Sequence, residues 1–179
     1  MFLYIALCAA MIIAVAVGIV LILAASKPNI FRVQRTASIH AAPEKIFPLI
    51  NDFHSWSAWS PFEKLDSAMK KTYSGAAQGT GAIYEWAGNA KAGVGRMEIT
   101  ASAPPAKITI KLDFLKPFPG HNIVEFTLQP NGSATETTWA MHGPVPFVGK
   151  IFHVFINMDR MVGGSFEEGL ANLKSVAEK

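Results

Sequence analysis

The sequence predicts an α+β protein in which a curved antiparallel sheet wraps around one long C-terminal helix, preceded by a single transmembrane helix. Between residues 157 and 179, apolar side chains recur at steps of three and four, the spacing that lines one face of an α-helix. Residues 70–143 consist of short runs of strand-like composition separated by turn-forming residues. Residues 2–25 contain no charged side chain. Because a long amphipathic helix must bury its apolar face, we expect the sheet to be its partner.

The uncharged N-terminal run predicts a membrane anchor over residues 1–26, joined to the next element by a linker at residues 27–30. About 20 apolar residues are enough to cross a hydrocarbon core of about 30 Å. A cleavable signal peptide is the main alternative, because Ala24, Ala25 and Ser26 have the small side chains of a cleavage site. The basic residues that open a signal peptide are missing, however, and the apolar run exceeds the usual length of about 7–15 residues. We therefore expect the segment to be retained.

The charge distribution predicts the side of the membrane on which the domain lies. The basic residues Lys27, Arg32, Arg35 and Lys45 follow the span. Since positively charged flanks tend to stay in the cytoplasm, we expect a single-pass membrane protein with a cytoplasmic domain. The net charge is +3, but the basic residues form no cluster interleaved with aromatic side chains. The expected partner is therefore the membrane bilayer and not nucleic acid, and protein partners are left open.

Between the anchor and the final helix, the sequence predicts one strand, a short helical connection and six further strands. Residues 31–40 alternate between polar and apolar side chains, as in a half-buried strand. A proline and an acidic residue after Ala42 begin a short helix. Residues 51–62, which we call the aromatic connection, mix large aromatic side chains with turn formers. Six runs separated by turn signals follow, at residues 70–74, 81–87, 93–102, 107–115, 122–130 and 135–143.

The last part of the chain contains an apolar approach and the closing helix. Residues 144–156 are apolar and predict an irregular or helical segment that leads into this helix. Within the helix, Gly163 and Gly164 each lower the helix propensity by about 1 kcal/mol relative to alanine. We expect this pair to allow the close approach of another element rather than to bend the helix.

Four stretches make the sequence resemble a known family. Residues 31–47 read FRVQRTASIHAAPEKIF, residues 51–61 NDFHSWSAWSP, residues 93–98 GVGRME and residues 157–164 NMDRMVGG. Together with the order of elements, they resemble the polyketide cyclase/dehydrase branch of the START-like, or SRPBCC, superfamily. The resemblance implies the helix-grip fold, a ligand-binding domain over residues 31–179, and a deep apolar pocket between the sheet and the last helix. Such a pocket suits lipids, sterols, polyketides or other hydrophobic molecules, so a hydrophobic small molecule is the expected ligand.

Large apolar side chains that face the interior are the candidate ligand-binding residues. In the aromatic connection these are Trp56, Trp59 and Phe62, which form either a wall at the mouth of the pocket or a plug of ordinary core. Strand alternation predicts a second set on the concave face of the sheet, and for each member a purely structural role is the alternative. This set comprises Tyr84, Trp86, Met97, Phe114, Phe126, Trp139 and Met141.

Catalytic residues are not indicated beyond one weak pair. Asp52 and His54 have the chemistry of an acid/base pair beside the pocket, but they are more simply explained as a helix cap and a surface histidine. The five histidines have no metal-ligand spacing, and Cys8 is the single cysteine. We therefore expect no bound metal and no cofactor.

Three functions remain open from the sequence. The first is a membrane-anchored protein that binds a hydrophobic, lipid-like or polyketide-like small molecule. The second is a cyclase or dehydrase type of enzyme acting on an apolar substrate, which requires an ionisable group inside the pocket. The third is a protein-interaction module without an open cavity, and it differs from the first two in having no interior space of ligand size.

Overall fold

The N-terminal segment forms one long apolar helix. The structure, a computed structural model, describes residues 2–179, with side chains described from Tyr4 onward, so that Met1 of the predicted anchor lies outside the described residues. Helix α1 extends over Phe2–Ser26. Within the described chain it is the one helix long and apolar enough to cross a membrane, with a mean hydropathy of 3.1 over Tyr4–Ser26.

The strands form a single antiparallel sheet, as the sequence predicts. The seven strands are β1 (Ile30–Ile39), β2 (Lys70–Gly75), β3 (Ala82–Ala87), β4 (Val94–Ala103), β5 (Lys107–Lys116), β6 (Gly120–Asn131) and β7 (Ala134–Pro144). Their order in the sheet is β1-β7-β6-β5-β4-β3-β2. The meander β2 to β7 is therefore unbroken, and β1 returns to pair with β7. Both edges of the sheet are formed by the first two strands of the domain.

Helical segments connect β1 to β2 and close the fold. Helix α2 (Pro43–Asn51) begins with a proline, whose missing N–H lies where a helix has no acceptor for it. Two short 3₁₀ helices follow within and after the aromatic connection, at Phe53–Ala58 and Pro61–Lys64. After β7, the predicted apolar approach forms helix α3 (Phe147–Phe155). The closing helix α4 (Met158–Ala177) begins where the side chain of Asn157 caps it, accepting the N–H of Arg160 at 3.1 Å.

Helix α4 lies in the concave face of the sheet with its predicted apolar stripe inward. Phe166, Leu170 and Leu173 are fully buried, together with Ala177 at the end of the helix. On the sheet, alternate side chains of β5, such as Ile108 and Ile110, are buried in the same core. The helix-grip arrangement predicted from the sequence is confirmed.

Polar contacts fix α4 along the edge strand β1. Arg35 donates to both oxygens of Asp159 at 2.8 and 2.9 Å, and to Glu167 at 2.5 Å. At the other end of the helix, the backbone N–H of His40 donates to Glu178 at 2.6 Å. A Cβ on Gly163 would lie 2.1 Å from the guanidinium of Arg35, whereas Gly164 has open space around it. The predicted close approach at the glycine pair is therefore confirmed for the first glycine, and its cause is the arginine.

A second glycine of α4 allows the helix to lie against β7. The ring of Trp139 stacks on Phe166 with centroids 4.2 Å apart and planes inclined by 8°. A Cβ on Gly169 would lie 2.6 Å from Cζ3 of Trp139 and 3.1 Å from Cδ of Pro61. Neither a tryptophan ring nor a proline ring can bend aside, so only glycine fits at this crossing.

Two glycines of the same helix give a matched test of this packing. Gly169→Ala should lower the free energy of unfolding by about 1–3 kcal/mol, the usual cost of an overpacked core, in spite of the gain in helix propensity. Gly164→Ala adds the same methyl group where no atom lies within 4 Å, and should raise stability by up to about 1 kcal/mol. Urea denaturation of both variants, followed by circular dichroism in detergent, measures the difference. Equal effects of the two substitutions would contradict the packing described here.

Candidate functional site

The ten predicted ligand-binding residues all lie on the concave side of the grip. Trp56, Trp59, Tyr84, Met97, Phe126, Trp139 and Met141 are buried in one continuous core, and Phe62, Trp86 and Phe114 are partly buried against it. The fold thus brings together residues from the aromatic connection and from five strands. Whether they contact a ligand stays a prediction.

Trp139 is the centre of an aromatic cluster inside the grip. Besides the stacked ring of Phe166, its ring centroid lies 5.0 Å from that of Phe126 and 5.4 Å from that of Trp59. Trp56 and Phe62 approach it edge-on at 6.3 and 6.0 Å. These edge-on and offset geometries are the favourable ones for aromatic pairs. The cluster of Trp56, Trp59, Phe62, Phe126, Trp139 and Phe166 is called the central aromatic cluster below.

Two tryptophans of this cluster have a structural reason for their position. The indole N–H of Trp56 donates to the carbonyl of Ile50 at 2.9 Å, and that of Trp59 donates to the carbonyl of Leu49 at 2.9 Å. Both carbonyls belong to the last turn of α2, where the helix leaves its own acceptors unused. The aromatic connection therefore folds back to cap the helix that precedes it. Outside the cluster, the indole of Trp86 is also paired, to the carbonyl of Ala92 at 2.9 Å.

Trp139 differs from the other three tryptophans because its indole N–H has no partner among the described residues. The hydroxyl oxygens of Ser60 and Thr137 are likewise buried and unpartnered. Thr137 is on the same strand and face as Trp139. Ser60 precedes Pro61, and the rings of Pro61 and Trp139 both lie close to the position that a Cβ on Gly169 would take. A buried polar group without a hydrogen bond costs about 1–3 kcal/mol. Three groups of this kind therefore belong to the segments that form the interior of the grip.

A second group of aromatic rings forms a row beside a buried carboxylate. The rings of His54, Tyr73, Tyr84 and Trp86 follow one another with centroid separations of 4.1, 5.1 and 5.9 Å. The side chain of Glu63 is almost fully buried, accepts the Tyr84 hydroxyl at 2.8 Å, and forms an ion pair with Lys71. Burial, the hydrogen bond to Glu63 and its negative charge raise the pKa of Tyr84 well above its ordinary value. Glu63 is thus a buried carboxylate beside this group of rings.

Asp52 and His54 do meet, but at the surface. Asp52 accepts the backbone N–H of His54 at 2.9 Å, which makes it the cap of the first 3₁₀ helix. The His54 ring nitrogen Nδ1 also lies 2.8 Å from the same carboxylate. The imidazole is exposed and stacks on Tyr73. The capping role suggested by the sequence is present, and the acid/base role stays a prediction.

Two depressions on the surface of the described chain lie outside the central aromatic cluster. One, with a volume of about 390 Å³, is on the outer face of the sheet beside Lys111, His121 and His142. The other, of about 330 Å³, is a groove between the edge strand β1 and α4. The space between the sheet and the inner face of α4 is occupied by aromatic rings in mutual contact. No group of three or more possible metal-ligating side chains occurs among the described residues.

Comparison with known sequences identifies the family. The profile described as "Polyketide cyclase / dehydrase and lipid transport" matches residues 31–178, which is the whole domain after α1 and its linker. The chain belongs to this family. No protein with a curated description matches the chain.

Solved structures of similar fold come from several sources. Protein CV1439 from Chromobacterium violaceum superposes with a TM-score of 0.58 at 18% identity, covering 86% of this chain and 99% of its own. The di-domain ARO/CYC BexL from the BE-7585A biosynthetic pathway gives 0.63 at 12% identity, covering 88% of this chain and 53% of BexL. DynU16, from the dynemicin biosynthetic locus, gives a TM-score of 0.58 at 15% identity, covering 86% of this chain and 48% of DynU16. At these identities the likeness shows the helix-grip fold of this family member.

Sequence reasoning missed four residues of the site. The helical period places Phe166 on the apolar face of the last helix but does not reveal that it stacks on Trp139. Thr137 carried a usable signal, because it alternates in phase with Trp139 on β7 and therefore had to face inward. Ser60 and Glu63 carried none, since they lie at the start of and within a four-residue 3₁₀ helix, which is too short for a period to predict which way a side chain points. Their burial is decided by contacts with distant strands.

From the hydrogen bond between Tyr84 and Glu63 we expect the free energy of unfolding of this family member to depend on pH in the alkaline range. Tyr84→Phe removes a donor from a buried carboxylate and should lower the free energy of unfolding by about 1–3 kcal/mol near neutral pH. Because the folded pKa lies above the unfolded value of about 10, the wild-type advantage is fully present below that pH and is lost as the pH rises above it. Denaturant unfolding of both proteins from neutral to alkaline pH measures this.

Tyr73→Phe is the matched control for this prediction. Tyr73 stacks on Tyr84, but its hydroxyl has no hydrogen-bond partner in the described part of the chain. It should therefore change stability near neutral pH by less than about 0.5 kcal/mol. A loss at Tyr73 equal to that at Tyr84 would refute the role given to Glu63.

Proposed function

We propose that this protein is a membrane-anchored binder of a hydrophobic small molecule, lipid-like or polyketide-like, that it takes up between the sheet and α4. The family description includes lipid transport, which is consistent with an apolar ligand. The ligand is expected to carry a polar group at one end and an apolar body, because the interior offers both kinds of partner.

The observation that carries this proposal is a set of three buried polar groups without partners, one on Trp139 of the central aromatic cluster and two on β7 and the aromatic connection beside it. The indole N–H of Trp139 and the hydroxyls of Ser60 and Thr137 are buried without hydrogen bonds to any described residue. In the other three tryptophans of the domain, the indole N–H donates a hydrogen bond to a backbone carbonyl, so the fold can provide partners for such groups. A ligand with a carbonyl, carboxylate or hydroxyl group would supply the missing partners. The free energy lost in the unliganded protein would then be recovered on binding.

Uptake requires aromatic rings to move, since they occupy the interior in this structure. The ring of Trp139 stacks on Phe166 of α4 and contacts Phe126 of the neighbouring strand β6, so separating α4 from the sheet by a few ångströms uncovers the ring face that Phe166 now covers. An apolar ligand then packs against the ring faces that this movement uncovers, and so restores their van der Waals attraction. Helix α4 is held to β1 by Arg35, and this ion pair is exposed enough to exchange with water.

The anchor is the second part of the proposal. α1 has the length and composition of a membrane span, and its apolar side chains are exposed along most of the helix. The domain side is proposed to be the cytoplasm, on the basis of Lys27 and the basic residues that follow it. An anchored domain would collect its ligand from the bilayer itself, where lipid-like molecules are concentrated.

Glu63 supports a second candidate, an enzyme of the cyclase or dehydrase type. A carboxylate that is almost fully buried and bonded to a phenol at 2.8 Å can accept a proton from an apolar substrate and pass it on. Incubation with a linear poly-β-ketone should then give a cyclised or dehydrated product in the wild type and none with Glu63→Gln. Absence of product with wild-type protein that still binds apolar ligands would reject the enzyme and leave the binder.

Replacing the hydroxyl of Thr137 tests the binding site directly. Thr137→Val keeps the side-chain volume and removes an unpartnered buried oxygen, so it should raise the stability of the unliganded protein by about 1–2 kcal/mol. The same change should weaken binding of a fluorescent long-chain fatty acid by roughly 2- to 10-fold, the value of one hydrogen bond. Denaturation and fluorescence titration of the full-length protein in detergent measure the two effects.

The neighbouring threonine on the opposite face of β7 provides the control. Thr138 faces outward, where its hydroxyl pairs with that of Thr36 at 2.9 Å. Thr138→Val should therefore leave fatty-acid binding unchanged. If wild-type protein binds no apolar probe and carries no co-purifying lipid by mass spectrometry, the interior is a solid core, and the protein is an interaction module.

A further inference from the structure

Helix α3 carries its apolar side chains outside and its lysine inside. Val148, Phe152 and Phe155 follow one another at steps of four and three, and the two phenylalanines are 54% and 71% exposed. Lys150, on the opposite side of the helix, is only 8% exposed. Water favours the reverse arrangement. Single exposed apolar residues are ordinary, but a stripe along a whole helix face is typical of a docking surface.

The loop between β5 and β6 extends this stripe. Phe118 lies in the loop and is 75% exposed, and its ring centroid is 6.4 Å from that of Phe152. We call Phe118, Val148, Phe152 and Phe155 the outer apolar face. Because its members come from two elements that are distant in sequence, the face exists only in the folded chain.

The end of α1 lies beside the outer apolar face. α1 packs against α3, and Ala24 is 0% exposed although most of α1 is exposed. After α1 ends, the carbonyl of Asn29 already accepts the N–H of Val145 at 2.7 Å. The three residues between α1 and β1 span at most about 10 Å. The outer apolar face therefore lies close to the junction between α1 and the domain.

The inward side of α3 is closed by the domain. The ring of His153 meets that of Phe31 at 6.4 Å in an edge-on contact. Burial and the positive charge of Lys27 lower the pKa of His153, which favours the neutral form of this side chain. With its polar side turned to β1 and α1, α3 has only its apolar side left for an external partner.

Basic residues lie close in sequence to the segments that meet at the outer apolar face. Lys27 follows α1, Lys116 lies two residues before Phe118, and Arg160 is in the first turn of α4. Cationic side chains around an apolar helix face are the arrangement that binds anionic headgroups while the apolar side chains enter the acyl boundary. Two copies of the chain meeting through this face would instead bring these basic residues toward one another, which is repulsive.

We propose that the outer apolar face is inserted into the headgroup region of the bilayer that α1 crosses, so that α3 lies flat on the membrane. This inference rests on the proposed anchor and goes beyond it, because a span alone does not place any part of the domain in the bilayer. The N-terminal end of α4 and the β5–β6 loop then face the lipid. A ligand that leaves the interior at this end passes into the bilayer without crossing water.

Site-directed spin labels on the full-length protein in nanodiscs of mixed neutral and anionic lipid test this proposal. Replacement of Cys8 by serine gives a cysteine-free background, since the chain has no other cysteine. Single labels are then placed through Phe118→Cys and Phe152→Cys. Val15→Cys, in the middle of α1, and Ser133→Cys, in the β6–β7 turn at the opposite end of the sheet, are the bilayer and water references. Collisions with oxygen and with a water-soluble nickel complex are compared at each site.

The expected result is that labels at Phe118 and Phe152 favour oxygen several-fold over nickel, as at Val15, whereas the label at Ser133 favours nickel. If Phe118 and Phe152 behave like Ser133 while Val15 stays in the lipid, the outer apolar face is not inserted, and the proposed anchor still holds. If Val15 is also open to nickel, the anchor fails and this inference fails with it. Protection of Phe152 from both reagents would mean that another protein copy covers the face, which also overturns the proposal. Circular dichroism of each variant confirms that it is folded.

Discussion

The contact between Trp139 of β7 and the Phe166–Gly169 turn of α4 is the constraint on which the grip depends. The stacked rings lie 4.2 Å apart, and the absent side chain of Gly169 lets the helix backbone approach the indole edge. The other rings of the central aromatic cluster are arranged around this contact. Because only glycine fits where α4 crosses this tryptophan, the contact restricts how the helix is rotated and how far it shifts along the sheet.

The buried polar groups of the interior fall into two sets, those with hydrogen-bond partners and those without. In the aromatic connection they have partners, because the indoles of Trp56 and Trp59 donate to the carbonyls at the end of α2. Around Trp139 the polar groups of Thr137 and Ser60 are buried without partners among the described residues. Local conflicts of this kind are costly to stability and are retained mainly at functional sites. The tryptophans of the aromatic connection therefore have a structural explanation, and for Trp139 we propose a functional one.

The two ends of the domain differ in character. At the end where α4 finishes, its C-terminus is tied to β1 by Glu178 and the N–H of His40. At the end where α4 begins, α1, α3 and the β5–β6 loop converge, and exposed phenylalanines such as Phe152 lie outward. The proposed ligand site and the proposed membrane contact are thus connected by the first turns of α4. A change in the position of this helix would act on both, which gives an anchored binder a physical route between its interior and the bilayer.

The sequence by itself determined the elements and their inward faces, because these follow from periods of two and 3.6 residues within short windows. The strands, the apolar stripe containing Phe166, and the apolar N-terminal helix were all predictable in this way. Tertiary structure alone decided three features: the pairing of Arg35 with Asp159, the burial of Glu63, and the outward direction of Phe152 on α3. α3 is apolar over most of its circumference, so the spacing of its apolar residues does not predict which side faces the domain. Such features depend on contacts between residues far apart in the chain, and only the folded structure brings these residues together.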